Sequence, residues 1–313
     1  MQLFFVISGF IMVHSTERLF GAPNGPWPFL KRRLVRIVPL YWIVTSIYLA
    51  LTALVPGFAK DYPASFVVAS YLFVPAARAD GVIEPLVGQG WTLNYEMLFY
   101  VIFAVTVFVS RRVSVMMVTA ILLSLVVFGS ITTSLPLILS FWTSPILLHF
   151  VFGVWIGLAY REGVSVSPIF GLAPITVAAV LLSLELSPSA QPLVVAVSNW
   201  CVPALVVAGV VLPRLSFSSP IWSVTIIIGT ASYALYLFHA IPIRALFYLA
   251  SWSNLDIGRA PTVYVSAAAA AAAVALAILV AIAIYYCIER PIMRASRPTG
   301  SEPVIAMPAH LAT

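Results

Sequence analysis

Three short stretches combine residue types that can do chemistry. The first is KRRLVRIVPLYW, Lys31 to Trp42, with Lys31, Arg32, Arg33 and Arg36 close together. Arg33 and Arg36 are spaced i, i+3 and share a helical face, and Arg32 joins Arg36 at i+4. Two guanidinium forks on one face suit a diphosphate or another paired oxyanion. The same spacing fits a plain cationic cluster at a membrane boundary, so both readings stand.

The second stretch is WTLNYEMLFY, Trp91 to Tyr100. Thr92, Glu96 and Tyr100 recur at i+4 and make one polar stripe in an apolar run. An acid in such a run either serves a site or ties helices through an ion pair. The third is ASYALYLFH, Ala231 to His239, where Ser232, Tyr236 and His239 fall on one face. Pro242 lacks a backbone donor and leaves the Phe238 carbonyl free, which predicts a broken helix beside a cavity. The imidazole can donate, accept or carry a proton near neutral pH. Hydrogen bonding between helices would use the same Tyr and His. Ser8-Gly9-Phe10 gives a small helical face. His14 and His149, alone in apolar runs, read as packing residues, and Glu289-Arg290-Pro291 as the close of the last helix.

These stretches need a scaffold, and composition supplies its class. The chain has 313 residues, 62% hydrophobic and 8% charged, with a mean hydropathy of +1.07. A soluble chain carries about a quarter charged residues. The apolar runs are continuous and near helix-spanning length, unlike the alternating segments of a membrane barrel. The expected fold is all-α: a polytopic transmembrane bundle of about nine spans, near 2–14, 37–55, 91–110, 113–130, 136–160, 169–186, 192–212, 221–250 and 262–287. Residues 64–76 are too short to cross and suit an interfacial or re-entrant piece. The segment VSAAAAAAAVALA in the last span reads as a close-packing face. Cys201 and Cys287 read as small core residues. No cleavable signal peptide is expected, because Met1 leads directly into apolar sequence. Residues 1–297 form one membrane domain, and 298–313 read as a disordered cytoplasmic tail.

Charge tests the span count. A charged side chain at a bilayer centre costs about 2.5–3.5 kcal/mol, so the 31–36 cluster belongs at an aqueous boundary, and its sign favours the cytoplasmic one. Alternating from there puts twelve of the sixteen Lys and Arg residues inside. Lys60, Arg78, Arg244 and Arg259 fall outside. Making 64–76 a full span would reverse every later loop. The net charge of +6 is thus mostly loop asymmetry and does not point to nucleic acid. Nine spans with a cytoplasmic C-terminus leave Met1 outside, which predicts a missing upstream helix.

Five elements in order, LFFVISGFIM (3–12), RRLVRIVPLYW (32–42), WTLNYEMLFY (91–100), SYALYLFH (232–239) and IERP (288–291), resemble the acyltransferase-3 family of bacterial membrane acyltransferases. The likeness covers most of the chain and is closest to the branch that decorates exopolysaccharides. It implies transfer of an acyl group, often acetyl, from cytosolic acyl-CoA to a carbohydrate hydroxyl at the outer face. It places Arg33 and Arg36, with Arg32 beside them, at the donor, together with Gly9 and Phe10 of the S-G-F element. Glu96 would be the acid of the W-x-x-x-x-E element. The family begins with one more helix, carrying a basic residue and a histidine, and restoring it would make ten spans.

A thioester donor needs a grip on its anionic end, a base for the acceptor hydroxyl and stabilisation of the oxyanion. The expected assignment makes Glu96 and His239 catalytic, the histidine acting as base or acyl carrier with Glu96 orienting the imidazole or stabilising its charged form. Ser8, Trp91, Tyr100, Ser232 and Tyr236 support them. Asp61, Asp80 and Glu84 in the outer segment would help hold the sugar. No metal and no tightly bound cofactor is expected. The partners are acyl-CoA as co-substrate, a polysaccharide or lipid-linked glycan acceptor and the bilayer of the bacterial inner membrane. A proton-coupled transporter and an inactive scaffold are the competing classes.

Overall fold

A computed structural model describes residues 1–54, 62–185, 191–215, 220–252 and 263–296. Among these residues the secondary structure is helical apart from an isolated bridge between Ala77 and Ile83. Among the described residues, six helical stretches are long and apolar enough to cross a bilayer: Pro26–Leu54, Arg111–Ile131, Leu137–Arg161, Pro168–Glu185, Pro192–Val211 and Ala268–Ala295. The expected all-α polytopic bundle is therefore what the chain forms. The helices are α1 (Gln2–Ser15), α2 (Pro26–Leu54), α3 (Ala64–Tyr71), α4 (Trp91–Ala104), α5 (Arg111–Ile131), α6 (Leu137–Trp142) and α7 (Leu148–Arg161). They continue with α8 (Pro168–Glu185), α9 (Pro192–Val211), α10 (Pro220–Thr230), α11 (Ser232–Phe238), α12 (Ala240–Trp252), α13 (Val263–Ile284) and α14 (Arg290–Ala295).

The apolar stretches read as spans form helix, though not always one helix. The run at 136–160 breaks between α6 and α7 at Thr143–Leu147, where Pro145 interrupts the ladder. The run at 221–250 is three pieces, separated at Ala231 and His239. The second break lies three residues before Pro242, as the missing donor there requires. Of 64–76 only the eight residues of α3 are helical, about 12 Å at 1.5 Å per residue, far short of a bilayer core. Helix α2 has 29 residues, about 44 Å long against about 30 Å of hydrocarbon. That excess lets its basic first turns stand clear of lipid.

The chain divides into two compact units. The first comprises Met1–Arg33 and Val44–Trp222. Its core is α1 laid along α7, with α9 and α5 against α7 and α8 against α9. Aromatic rings fill it: Phe99 stacks on Phe150 at 4.2 Å, Phe5 meets Phe150 at 4.9 Å and Phe29 meets Phe103 at 5.0 Å. Glycine permits the α1–α7 crossing. A Cβ on Gly153 would lie 2.8 Å from the Gly9 Cα, and one on Gly157 would lie 2.9 Å from the Val13 Cβ. Backbone-to-backbone packing of this kind is how helices associate in lipid, where apolar burial alone provides no drive.

The second unit comprises Leu34–Ile43 and the chain from Ser223 onward. Helix α13 packs on α11 and α12. Ala273, Ala277 and Ala281 are its buried stripe, spaced i, i+4, i+8. The small-residue face expected in this span exists and extends beyond the residues that suggested it. Tyr233 of α11 donates to the Ile37 carbonyl at 2.8 Å, two residues ahead of Pro39.

Two sequence expectations are corrected. Cys201 and Cys287 are exposed, not core; both lie on apolar helices whose outer surfaces are apolar too. The last helix does not close at Glu289. It passes through a π-helical turn, Tyr285–Glu289, and runs on as α14 to Ala295, with Glu289 only 3% exposed. The expected tail at 298–313 lies outside the described residues.

Candidate active site

The α1–α7 crossing sets the first part of the site. It holds Ser8 beside α4, where the Ser8 hydroxyl donates to Glu96 Oε1 at 2.8 Å. The Tyr100 hydroxyl, one turn along α4, donates to the same oxygen. Glu96 is 4% exposed. A buried carboxylate needs such donors, because an unpaired one costs several kcal/mol. Three residues singled out in the sequence, Ser8, Glu96 and Tyr100, thus meet. Gly9 serves the crossing, and Phe10 stacks on His14 at 5.5 Å and meets Tyr160 edge-on. Trp91 meets Phe5 and Tyr95 edge-on. Thr92 is buried and bonds the Gln89 carbonyl. Asn94, missed in the sequence, is 2% exposed, and its Oδ1 has no hydrogen-bond partner among the described residues.

At the opposite end of α4 and α5, basic residues gather around short acids. Glu17 bridges Arg111 at 3.2 Å and Arg161 at 2.6 Å. Arg161 also donates to the His14 carbonyl, and Arg112 pairs with Glu162. Arg33 donates to the Ser15 hydroxyl at 2.5 Å and lies over the Phe29 ring at 5.7 Å. Lys31 and Arg32 are exposed. Sequence spacing could not reveal this cluster, since Glu17, Arg33, Arg111 and Arg161 come from separate loops and helix ends.

In the second unit, Arg36 acts electrostatically on Glu289. The buried Glu289 sits in the π-turn, a distortion that concentrates at functional positions. The sequence reads as a helix-end anchor here; the structure instead buries the acid inside a continuing helix. His239 caps α11. Its Nδ1 contacts the Tyr236 carbonyl at 2.9 Å and the Leu235 carbonyl at 3.2 Å. Both partners are acceptors, so Nδ1 carries the proton and the lone pair of a neutral ring is on Nε2. Ser232 is exposed, Tyr236 is half-buried, and Tyr233 rather than Tyr236 makes the bond to Ile37. Arg33 and Glu96 belong to one unit, Arg36 and His239 to the other.

In the segment expected to hold sugar, Asp80 and Glu84 are both occupied by Arg78, at 3.0 and 3.2 Å. Asp61 lies outside the described residues. Among the described residues, no group of three or more His, Cys, Asp or Glu side chains is placed to hold a metal ion.

The order of these elements has a match among known proteins. A family model described as an acyltransferase domain, acyltransferase-3, covers residues 1–286. The chain belongs to the acyltransferase-3 family. It is a multi-pass membrane protein of that family, with its buried acid on α4 and its basic turn on α2. The exopolysaccharide production protein ExoZ of Rhizobium meliloti (strain 1021) is 33% identical over 314 residues, covering 95% of this chain and 89% of the relative. No solved structure matches the chain. The acyltransferase-3 match takes in α1, α2, α4 and α11 together with His239 directly after α11, which carry the catalytic, donor and supporting residues expected from the sequence.

Proposed function

We propose that the chain transfers an acyl group, in the first instance acetyl, from cytosolic acyl-CoA to a carbohydrate hydroxyl of an exopolysaccharide or related surface glycan. The observation that carries this reading is the buried Ser8–Glu96–Tyr100 cluster within an acyltransferase-3 chain. The likeness to an exopolysaccharide production protein supports the acceptor class. In the reaction the acceptor oxygen bonds to the thioester carbonyl carbon, the carbon–sulfur bond breaks, and the hydroxyl proton ends on the CoA thiol. The protein works in the bacterial inner membrane with its C-terminus in the cytoplasm.

Arg33 and Arg36, on successive turns of α2, hold the donor's phosphates, with the exposed Arg32 adding charge. Gly9 and Phe10 border the path of the pantetheine arm. His239, with its lone pair on Nε2, is the base that takes the acceptor proton. Glu96 is the buried acid of the bundle, held by Ser8 and Tyr100. Trp91, Ser232 and Tyr236 support the surrounding helices. Acyl-CoA is consumed as a co-substrate, with no resident cofactor.

The test is purified protein in detergent or nanodiscs with radiolabelled acetyl-CoA and the host's exopolysaccharide. Label is expected on the glycan and is expected to fall sharply in Arg33→Ala and Arg36→Ala. Solute flux without acyl transfer would replace this reading with a transporter.

A further inference from the structure

A cleft of about 560 Å³ opens where α5 ends and α6 begins. Seven of its ten lining residues are serine or threonine and none is charged, so its ligand is neutral and rich in hydroxyls. Ser130, Thr132 and Thr143 each donate to a carbonyl of their own helix at 2.8 Å. That leaves their oxygens facing a ligand as acceptors only. The side-chain hydroxyls of Thr133, Ser134 and Ser140 hydrogen-bond to no other described residue, so they can both donate and accept. A sugar ring offers the same mixture of donors and acceptors.

The rest of the cleft wall is closely packed. A Cβ on Gly129 would lie 2.6 Å from the Thr143 Cβ and 2.9 Å from its carbonyl, so glycine there lets α5 and the end of α6 meet. Phe141 stacks on Tyr95 at 4.0 Å, and the Tyr95 hydroxyl bonds to Ser144 of the cleft wall. The residue after Tyr95 is Glu96, so the residue that backs the cleft wall and the buried acid adjoin on α4. Position along the bundle also separates the cleft from the cations. Helix α5 has 21 residues between Arg111 and Ile131, about 32 Å at 1.5 Å per residue, which is a bilayer core. The charged donor and this uncharged cleft therefore belong to opposite ends of the same unit.

We propose that this cleft is the acceptor subsite and takes one or two neutral sugar units of the glycan; this rests on the transferase reading above. Its volume falls within the range of about 300–1,000 Å³ usual for small-molecule sites. The probe is a set of neutral oligosaccharides from partial hydrolysis of the host's own exopolysaccharide. Binding is followed by saturation-transfer NMR and by fluorescence of Trp142, next in sequence to Thr143. Ser140→Trp, filling the cleft, is expected to weaken binding at least about tenfold, the scale of one lost buried contact. The double variant Thr133→Val with Ser134→Ala keeps the volume and tests the hydroxyls without a folding risk, and it is expected to weaken binding in the same direction. In the transfer assay, KM for the oligosaccharide is expected to rise while KM for acetyl-CoA holds.

Wild-type protein that binds none of these oligosaccharides, or variants that bind as wild type does, would overturn the subsite. Binding lost in the variants without acyl transfer by wild type would keep the cleft and sink the transferase. Transfer with glycan KM unmoved by the variants would do the reverse.

Discussion

Ser8 and Tyr100 approach one oxygen of Glu96 from two helices, and that convergence makes the cluster testable atom by atom. A buried hydrogen bond to a charged group contributes about 1.5–3 kcal/mol. Ser8→Ala and Tyr100→Phe are each expected to lower stability in detergent by that amount, read by thermal unfolding. Glu96→Gln keeps the shape, and is expected to preserve folding within about 1 kcal/mol while transfer falls by about 10²–10⁴, the range for loss of a proton-handling or charge-stabilising group. A uniform loss of folding in Glu96→Gln would reduce the carboxylate to a tie between helices. Arg33 gives a sharper contrast. Its fork bonds Ser15, and lysine cannot reproduce a bidentate grip on phosphate. Arg33→Lys is expected to raise KM for acetyl-CoA about tenfold with little change in turnover, checked by initial rates.

Helices explain which of these residues the sequence could disclose. Glu96 and Tyr100 were legible because a polar stripe in an apolar helix has few uses, and period and chemistry agreed, whereas Ser8 stood out only as part of the small Ser8-Gly9-Phe10 face. His239 was legible through Pro242, whose missing donor fixes the break. Glu289 was not, because a π-turn leaves no local sequence mark and the acid looked like a helix-end residue. Nor was Glu17 with Arg111 and Arg161, a contact between chain segments distant in sequence. The cysteines were misplaced for a physical reason: in lipid an apolar run is apolar on its outer face as well, so hydrophobicity no longer reports burial. Packing supplies the prediction at this scale. Gly153→Leu is expected to separate α1 from α7 and abolish monodisperse folding on size exclusion, while Gly163→Ala, in a turn with no atom near its added Cβ, is expected to cost only the strain of its φ of +91°, about 1 kcal/mol.

Seen whole, the first unit has a cationic end and a hydroxyl end, separated by the length of α5. Single cysteines introduced in a background lacking Cys201 and Cys287 test whether these ends face opposite compartments. In sealed vesicles of known orientation, Ser134→Cys is expected to react with a membrane-impermeant maleimide from one side, and Val164→Cys, beyond the end of α7, from the other. Reaction of both from the same side would remove the vectorial element of the proposed function.

The close approach of Gly9 to Gly153 sets one register of α1 against α7. A helix turns 100° per residue, so one residue inserted between Ser8 and Gly9 would swing the Ser8 hydroxyl away from Glu96 while leaving every helix intact. Exchanging α1 alone between relatives is therefore a gamble on register. Chimeras should move α1 and α7 as a matched pair, and the glycine contact then serves as the indexing mark by which two such chains can be aligned.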